Sequence, residues 1–317
     1  MQMENTRSTT EETVIRAPLA PQEDAVSSAR TEGASRPAPK MSRSPFHGLW
    51  ALTNRDLRKW YTNPFQLAIS LVQPVVWLGL FGKALNFGAF VSGAGGTPAQ
   101  QTQVLLSIFG TSSYFSYLAV GMLASIILFT AAFSGMSVVF DRRFGFLDKA
   151  LTTPVSRGVI VTSKVLQSVG RSLVQAGIVL LVAVGLGMDT AHFSVLGIAG
   201  AFGILFLMAF ALSSLFVTLA LKSSNWQTQM AIINLLNLPL LFASNALLPI
   251  TIMPTWLKYV VRFNPVSYAI DAARQLLLGI TPATSLNTLP VDFGVMIAFC
   301  ALLGSVGVIM SWRLLQE

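Results

Sequence analysis

Charge is scarce in this chain. Of its 317 residues only 11% are Asp, Glu, Lys or Arg, against 53% hydrophobic, whereas about a quarter charged is usual in soluble domains. Cysteine is nearly missing too. The single thiol, Cys300, can make no internal disulfide, and no Cys/His cluster exists to hold zinc. The two histidines, His47 and His192, fall at opposite sides of the apolar segments and cannot cooperate in catalysis. A phosphate-binding GxxxxGK[ST] loop is also lacking. The nearest run, Gly158-Val-Ile-Val-Thr-Ser-Lys164-Val165, has no second glycine and no hydroxyl after the lysine. No catalytic residue, cofactor or metal is therefore expected on this chain. Once positions near the ends of the apolar runs are discounted, the ionisable groups inside them, which ion-coupled carriers need, come down to Arg171, whose side chain is long enough to stretch toward lipid headgroups.

What the chain has in plenty is apolar length. Six runs can each supply the roughly 20 residues that cross a bilayer: about 65–85, 112–139, 159–187, 194–221, 227–248 and 290–312. The fold class expected is all-α, a polytopic membrane protein with six transmembrane helices. Lys and Arg beside these runs divide ten to four. Arg55, Arg58, Lys59, Arg142, Arg143, Lys149, Arg157, Lys164, Lys222 and Arg313 lie on one side, and Lys83, Lys258, Arg262 and Arg274 on the other. The richer side is read as cytoplasmic, which places both termini and the 140–157 loop inside. This distribution also explains the net charge of +8 without nucleic acid, which is not expected as a partner.

Residues 1–43 are rich in Thr, Ser, Glu, Ala and Pro without an apolar period, and are expected to form a disordered cytoplasmic tail; residues 44–317 form the membrane domain. From Ser44 to Tyr61 apolar and aromatic residues recur every three or four positions, Trp50 among them, while Arg55, Asp56, Arg58 and Lys59 fall opposite. That pattern suits an amphipathic helix in the membrane interface, broken at Asn63-Pro64. Between runs five and six, two short helices are expected. Pro254 opens one over 255–263, and Asn264-Pro265 caps a second that Gly279 ends. In the second, Val266, Ile270, Ala273 and Leu277 form an apolar stripe, and Asp271 and Arg274 stand three apart, close enough to pair. Both read as re-entrant helices that dip into the outer leaflet.

The remaining polar feature is the loop after run two. Phe144, Leu147, Ala150 and Leu151 share one face of a short helix, Asp141, Arg142, Asp148 and Lys149 surround it, and Pro154 stops it before Arg157 opens run three. Such a helix suits a groove on a partner protein, or else forms an ordinary basic loop.

Two stretches resemble the type-2 ABC exporter permease family, in its daunorubicin-resistance-like branch. One is Asp141-Arg-Arg-Phe-Gly-Phe-Leu-Asp-Lys-Ala-Leu-Thr-Thr-Pro-Val-Ser-Arg157. The other runs from Ser244-Asn-Ala-Leu-Leu-Pro249 through Met253-Pro-Thr-Trp256-Leu to Asn264-Pro-Val-Ser-Tyr268-Ala-Ile-Asp271-Ala-Ala-Arg274. Arg55-Asp-Leu-Arg-Lys-Trp60, Asn63-Pro64 and Gln73-Pro74 fit as well. Arg143, where the family often has an acid, and Ser163, where it often has glycine before the lysine, depart from the pattern. The resemblance implies a dimer, homomeric or with a related permease, that binds two copies of a separate ABC ATPase carrying the ATP and Mg. It implies that Ser44–Tyr61 and a coupling helix over Phe144–Thr153 touch that ATPase, and that Trp256, Asn264, Pro265, Tyr268, Asp271 and Arg274 belong to an outer lid. The expected function is export of a hydrophobic, amphipathic or lipid-linked substrate, such as a drug or lipid, across a prokaryotic plasma membrane. The alternative is a secondary, ion-coupled transporter or channel without an ATPase. Asn234, Asn237, Ser244 and Asn245 on run five are candidates to line the path, or else bond to neighbouring helices.

Overall fold

The computed structural model describes residues 45–84, 97–146, 157–223, 225–280 and 285–314, and every regular element among them is helical. The expected tail and most of the expected coupling helix, including Leu147, Asp148, Lys149, Leu151 and Pro154, lie outside the described residues.

Among the described residues ten α-helices follow in order. Helix α1 (Pro45–Tyr61) stops where expected, at Asn63-Pro64, and α2 (Pro64–Gly79) begins on that proline. Thr62 Oγ1 donates to the Arg58 carbonyl at 2.6 Å, closing the last turn of α1. A single π-helical turn, Leu80–Ala84, continues α2. Helix α3 (Pro98–Phe109) was not foreseen. It rests on a capping box, in which Thr97 Oγ1 accepts from the Gln100 amide and Gln100 Oε1 from the Thr97 amide. Together these satisfy two of the first-turn donors. Then come α4 (Tyr114–Arg143), α5 (Arg157–Gly185), α6 (Val195–Lys222) and α7 (Trp226–Phe242). Two short helices, α8 (Thr255–Phe263) and α9 (Pro265–Leu278), precede α10 (Leu289–Leu314).

Among the described residues four segments can cross a membrane by length and composition: Ala99–Arg143, Gly158–Gly185, Val195–Lys222 and Leu289–Met310. Helices α2 and α7 are apolar but shorter. At about 1.5 Å per residue, the 17 residues of α7 reach about 25 Å, just short of a hydrocarbon core of about 30 Å.

Helices α4 and α6 form the centre. They pack on each other, and both touch α5, α7 and α9, while α10 covers the other side of α6. Small residues allow the approach, as in other membrane helix pairs. A side chain on Gly135 would come within 2.5 Å of the Phe216 carbonyl on α6, and one on Gly121 within 2.1 Å of the Ala246 carbonyl. Hydroxyls stitch the same helices: Ser213 Oγ donates to Ser168 Oγ at 2.9 Å between α6 and α5.

Two expectations change. The fifth run does not stay helical to residue 248. Pro239 lies within its last turn, and the helix ends at Phe242. Ser244 and Asn245 therefore sit in the bend that follows. Helix α9 keeps its foreseen boundaries, with Gly279 left-handed at φ 64°, but it is not amphipathic in its surroundings. Asp271 and Arg274 are as buried as the stripe Val266, Ile270, Ala273 and Leu277, because α9 is enclosed by α4, α6 and α10.

Candidate functional site

Three polar places stand out in this apolar body. The first joins α1 to the spans. Lys164, one turn or two into α5, is buried and bridges two carboxylates: Asp56 of α1, at 2.6 Å, and Asp141 near the end of α4. Arg55 closes the other side of Asp56, at 2.6 Å, and lays its guanidinium 4.0 Å from the centroid of the Phe146 ring. Burial alone would raise the Asp56 pKa, but Lys164 and Arg55 together outweigh it and hold the carboxyl below its ordinary value. Arg142 is occupied as well, donating to the Leu221 carbonyl at the end of α6 at 3.1 Å. What this corner leaves exposed is Arg58, Lys59 and Trp50 on α1, and Arg143 and Phe144 at the end of α4. Arg157 opens α5. From sequence Lys164 counted only among the basic residues of the cytoplasmic side and not as a site residue; its signal was a lysine inside an apolar helix.

The second place surrounds Arg274, which is fully buried. The expected pair with Asp271 does not form. Instead the guanidinium donates to three backbone carbonyls: Tyr117 at 3.1 and 3.3 Å, Asn245 at 2.7 Å and Ala246 at 2.9 Å. It also lies 3.4 Å from the centroid of the Tyr117 ring. Asp271 accepts from the Leu286 and Asn287 amides, at 2.9 and 3.1 Å, and from Gln275. Gln275 Nε2 also reaches Asp292, at 3.0 Å, on the first turn of α10. Asn264 caps α9 through the Val266 amide and donates to the Leu240 and Ala243 carbonyls, each at 2.7 Å, tying α9 to the end of α7. Pro265 takes the first position of α9, and Tyr268 Oη donates to the Arg262 carbonyl at 2.6 Å. Trp256, by contrast, is exposed together with Tyr259, Val260 and Phe263, an apolar face on α8.

The third is a cavity of about 370 Å³ between α2, α4, α5 and the end of α7. Its walls are apolar except for Ser70 and Gln73 of α2, Ser125 and Thr130 of α4, and Arg171 and Gln175 of α5. The four residues proposed from sequence to line a path are elsewhere. Asn234 is exposed on α7, and Asn237 is buried. Ser244 Oγ donates to the Leu241 carbonyl at 2.6 Å, and the Asn245 carbonyl is held by Arg274. The helical spacing that put them on one face assumed a helix running to residue 248, whereas the helix ends at Phe242.

The comparisons agree with this architecture. Residues 47–278 match the family described as ABC-2 type transporter. The chain is 31% identical over 236 residues to the ycf38 transport permease of Pyropia yezoensis, covering 74% of this chain and 75% of the relative. It is 25% identical over 216 residues to the daunorubicin resistance ABC transporter permease protein DrrB1 of Streptomyces coeruleorubidus, covering 68% and 70%. It is also 25% identical over 211 residues to nodulation protein J of Rhizobium leguminosarum bv. trifolii, covering 66% and 72%. With its long apolar helices and this extent of match, the chain is a multi-pass membrane permease of the ABC-2 type transporter family.

Proposed function

We propose that this permease is the membrane subunit of an ATP-driven exporter that moves a hydrophobic or amphipathic substrate out of the cytoplasm or inner leaflet of a prokaryotic cell. ATP is hydrolysed on a separate ABC ATPase, two copies of which bind a permease dimer. Six crossings keep both termini and the 140–157 loop inside, and α8 and α9 enter the outer leaflet from the far side. The aromatic face of α8 supports that placement, since exposed Trp and Tyr suit a membrane interface.

The observation that carries this reading is the Lys164 bridge. It joins α1 and the end of α4 through two ion contacts to the buried Lys164 of α5, so a push on the loop after α4 reaches two spans and the interface helix as one body. The exposed Arg143 and Phe144 begin the surface on which an ATPase would bear.

Detergent extraction of the full-length chain from its native membrane tests the reading. Recovery of a soluble ATPase in roughly two-to-two stoichiometry, lost in Leu147→Asp while the permease stays inserted, is the expected result. An ATPase-free permease, or Leu147→Asp with assembly and transport unchanged, would overturn it. One observation favours an ion-coupled carrier as the second reading: Asp292 and Asp271 are buried together around Gln275. Flux driven by a proton gradient without any ATPase would select it.

A further inference from the structure

The cavity between α2, α4, α5 and α7 contains a cation with no anion. Arg171 stands about 21 Å along α5 from Arg157, at 1.5 Å per residue over fourteen residues, in the middle of a spanning segment. A charge at such a place is costly and is normally paired or functional. Among the described residues every ion pair involves Arg55, Lys59 or Lys164, and Arg171 takes part in none. Its guanidinium faces the Trp60 ring, 5.5 Å from the centroid, and its Nε is buried without a hydrogen-bond partner. A π face offsets part of the desolvation of a cation. It does not supply the acceptor that Nε lacks.

The surroundings of Arg171 favour one kind of ligand. Gln175, one turn on along the same face, accepts from Thr130 Oγ1 at 2.7 Å, so the part of its amide left to meet a ligand is the Nε2 donor. The cavity thus combines a cation, an amide donor and a long apolar wall of Ile69, Trp77, Ile126 and Phe129. Its volume of about 370 Å³ lies at the lower end of the roughly 300–1,000 Å³ typical of small-molecule sites.

We propose that this cavity binds an acidic amphiphile, a compact apolar body carrying one carboxylate, sulfate or phosphate, with the anionic group against Arg171 and the body against α2 and α4. A cationic amphiphile would meet an unscreened like charge, and a neutral one would leave Arg171 desolvated and unpaired. A two-tailed membrane lipid exceeds the space. The proposal names the substrate class of the exporter reading and rests on it for transport, but binding can be measured apart from any ATPase.

The full-length protein in phosphatidylcholine nanodiscs is titrated with dansyl-undecanoic acid and with its methyl ester, binding being read by energy transfer from tryptophan to dansyl. The wild type should bind the acid at least about tenfold tighter than the ester, a gap of about 1.4 kcal/mol. Arg171→Gln should bring the acid to the level of the ester while ester binding persists, which shows that the variant is folded. Arg171→Lys should keep the preference. Equal binding of acid and ester by the wild type, or an undiminished preference in Arg171→Gln, would overturn the site. Displacement of the probe by phosphatidylglycerol added to the nanodisc would overturn its assignment to a compact cargo. A permease that co-purifies with its ATPase but shows no preference sinks this proposal alone. A preference without an ATPase sinks the exporter reading and leaves the site standing.

Discussion

Two arginines in the same apolar body, Arg274 fully buried and Arg171 half-buried, face opposite circumstances. Arg274 is closed in by three carbonyls and the Tyr117 ring, whereas Arg171 has an aromatic face, an unpartnered Nε and a cavity beside it. Burial of a charge alone therefore says little about its role. The satisfied guanidinium holds α4, α9 and the bend after α7 at fixed separations and has nothing left to offer. The incompletely satisfied one is free to discriminate between ligands. The Lys164 bridge resembles Arg274: its ammonium is taken up by Asp56 and Asp141.

The contrast can be broken by experiment. Arg274→Met should have the largest effect, because it removes every hydrogen bond that the guanidinium gives to the Tyr117, Asn245 and Ala246 carbonyls in the interior, leaving Asn245 only the Tyr117 hydroxyl; a loss of about 3–5 kcal/mol should appear as a large fall in the melting temperature of the detergent-solubilised protein. Lys164→Met leaves two carboxylates facing each other but nearer to water, so about 2 kcal/mol is expected, together with faster tryptic cleavage within α1. If that variant keeps α1 as resistant as the wild type, the bridge does not hold the helix. Acid should loosen the same contact with a definite sign. The folded pKa of Asp56 is depressed, so its contribution is complete above the unfolded value of about 3.9 and is lost as pH falls through the folded value. Resistance of α1 to an acid protease should thus hold steady from neutrality down to about pH 4 and decline below it. Arg171→Gln should have the smallest effect on stability, within about 1 kcal/mol, since Arg171 loses little that it had. A melting temperature falling as far as that of Arg274→Met would erase the distinction.

How far the sequence could be read depended on whether the signal was local. Asn63-Pro64, Pro254, Asn264-Pro265 and Gly279 mark helix ends by their own backbone chemistry, and α1, α8 and α9 begin or stop at them. The apolar runs were equally legible from composition. The capping box Thr97-Pro98-Ala99-Gln100 was just as local but went unread inside a polar connection between spans. Arg274 could not be read at all from its neighbours. Its spacing from Asp271 suggested a pair, while its acceptors come from residues 117, 245 and 246, brought close only by the packing of α4 and the bend. The shared face of Asn234, Asn237, Ser244 and Asn245 failed for a related reason: a helix was extended past Pro239, beyond which the chain soon leaves the helix at Phe242. Arg171 was visible as an oddity from the start, but the cavity around it requires four helices.

The corner where α1 meets the spans divides its charges into two accounts. Arg55, Asp56, Asp141 and Lys164 sum to zero, and Lys164 and the Asp56 carboxyl lie largely out of reach of solvent. Arg58 and Arg143 remain outside, exposed and positive, and Lys59, exposed too, only grazes Asp56 at 3.8 Å. Mobile ions screen the second group and hardly touch the first. The attachment of α1 to its own protein is thus indifferent to ionic strength, while whatever acidic surface meets those three side chains, headgroup or protein, is held by a bond that salt can tune.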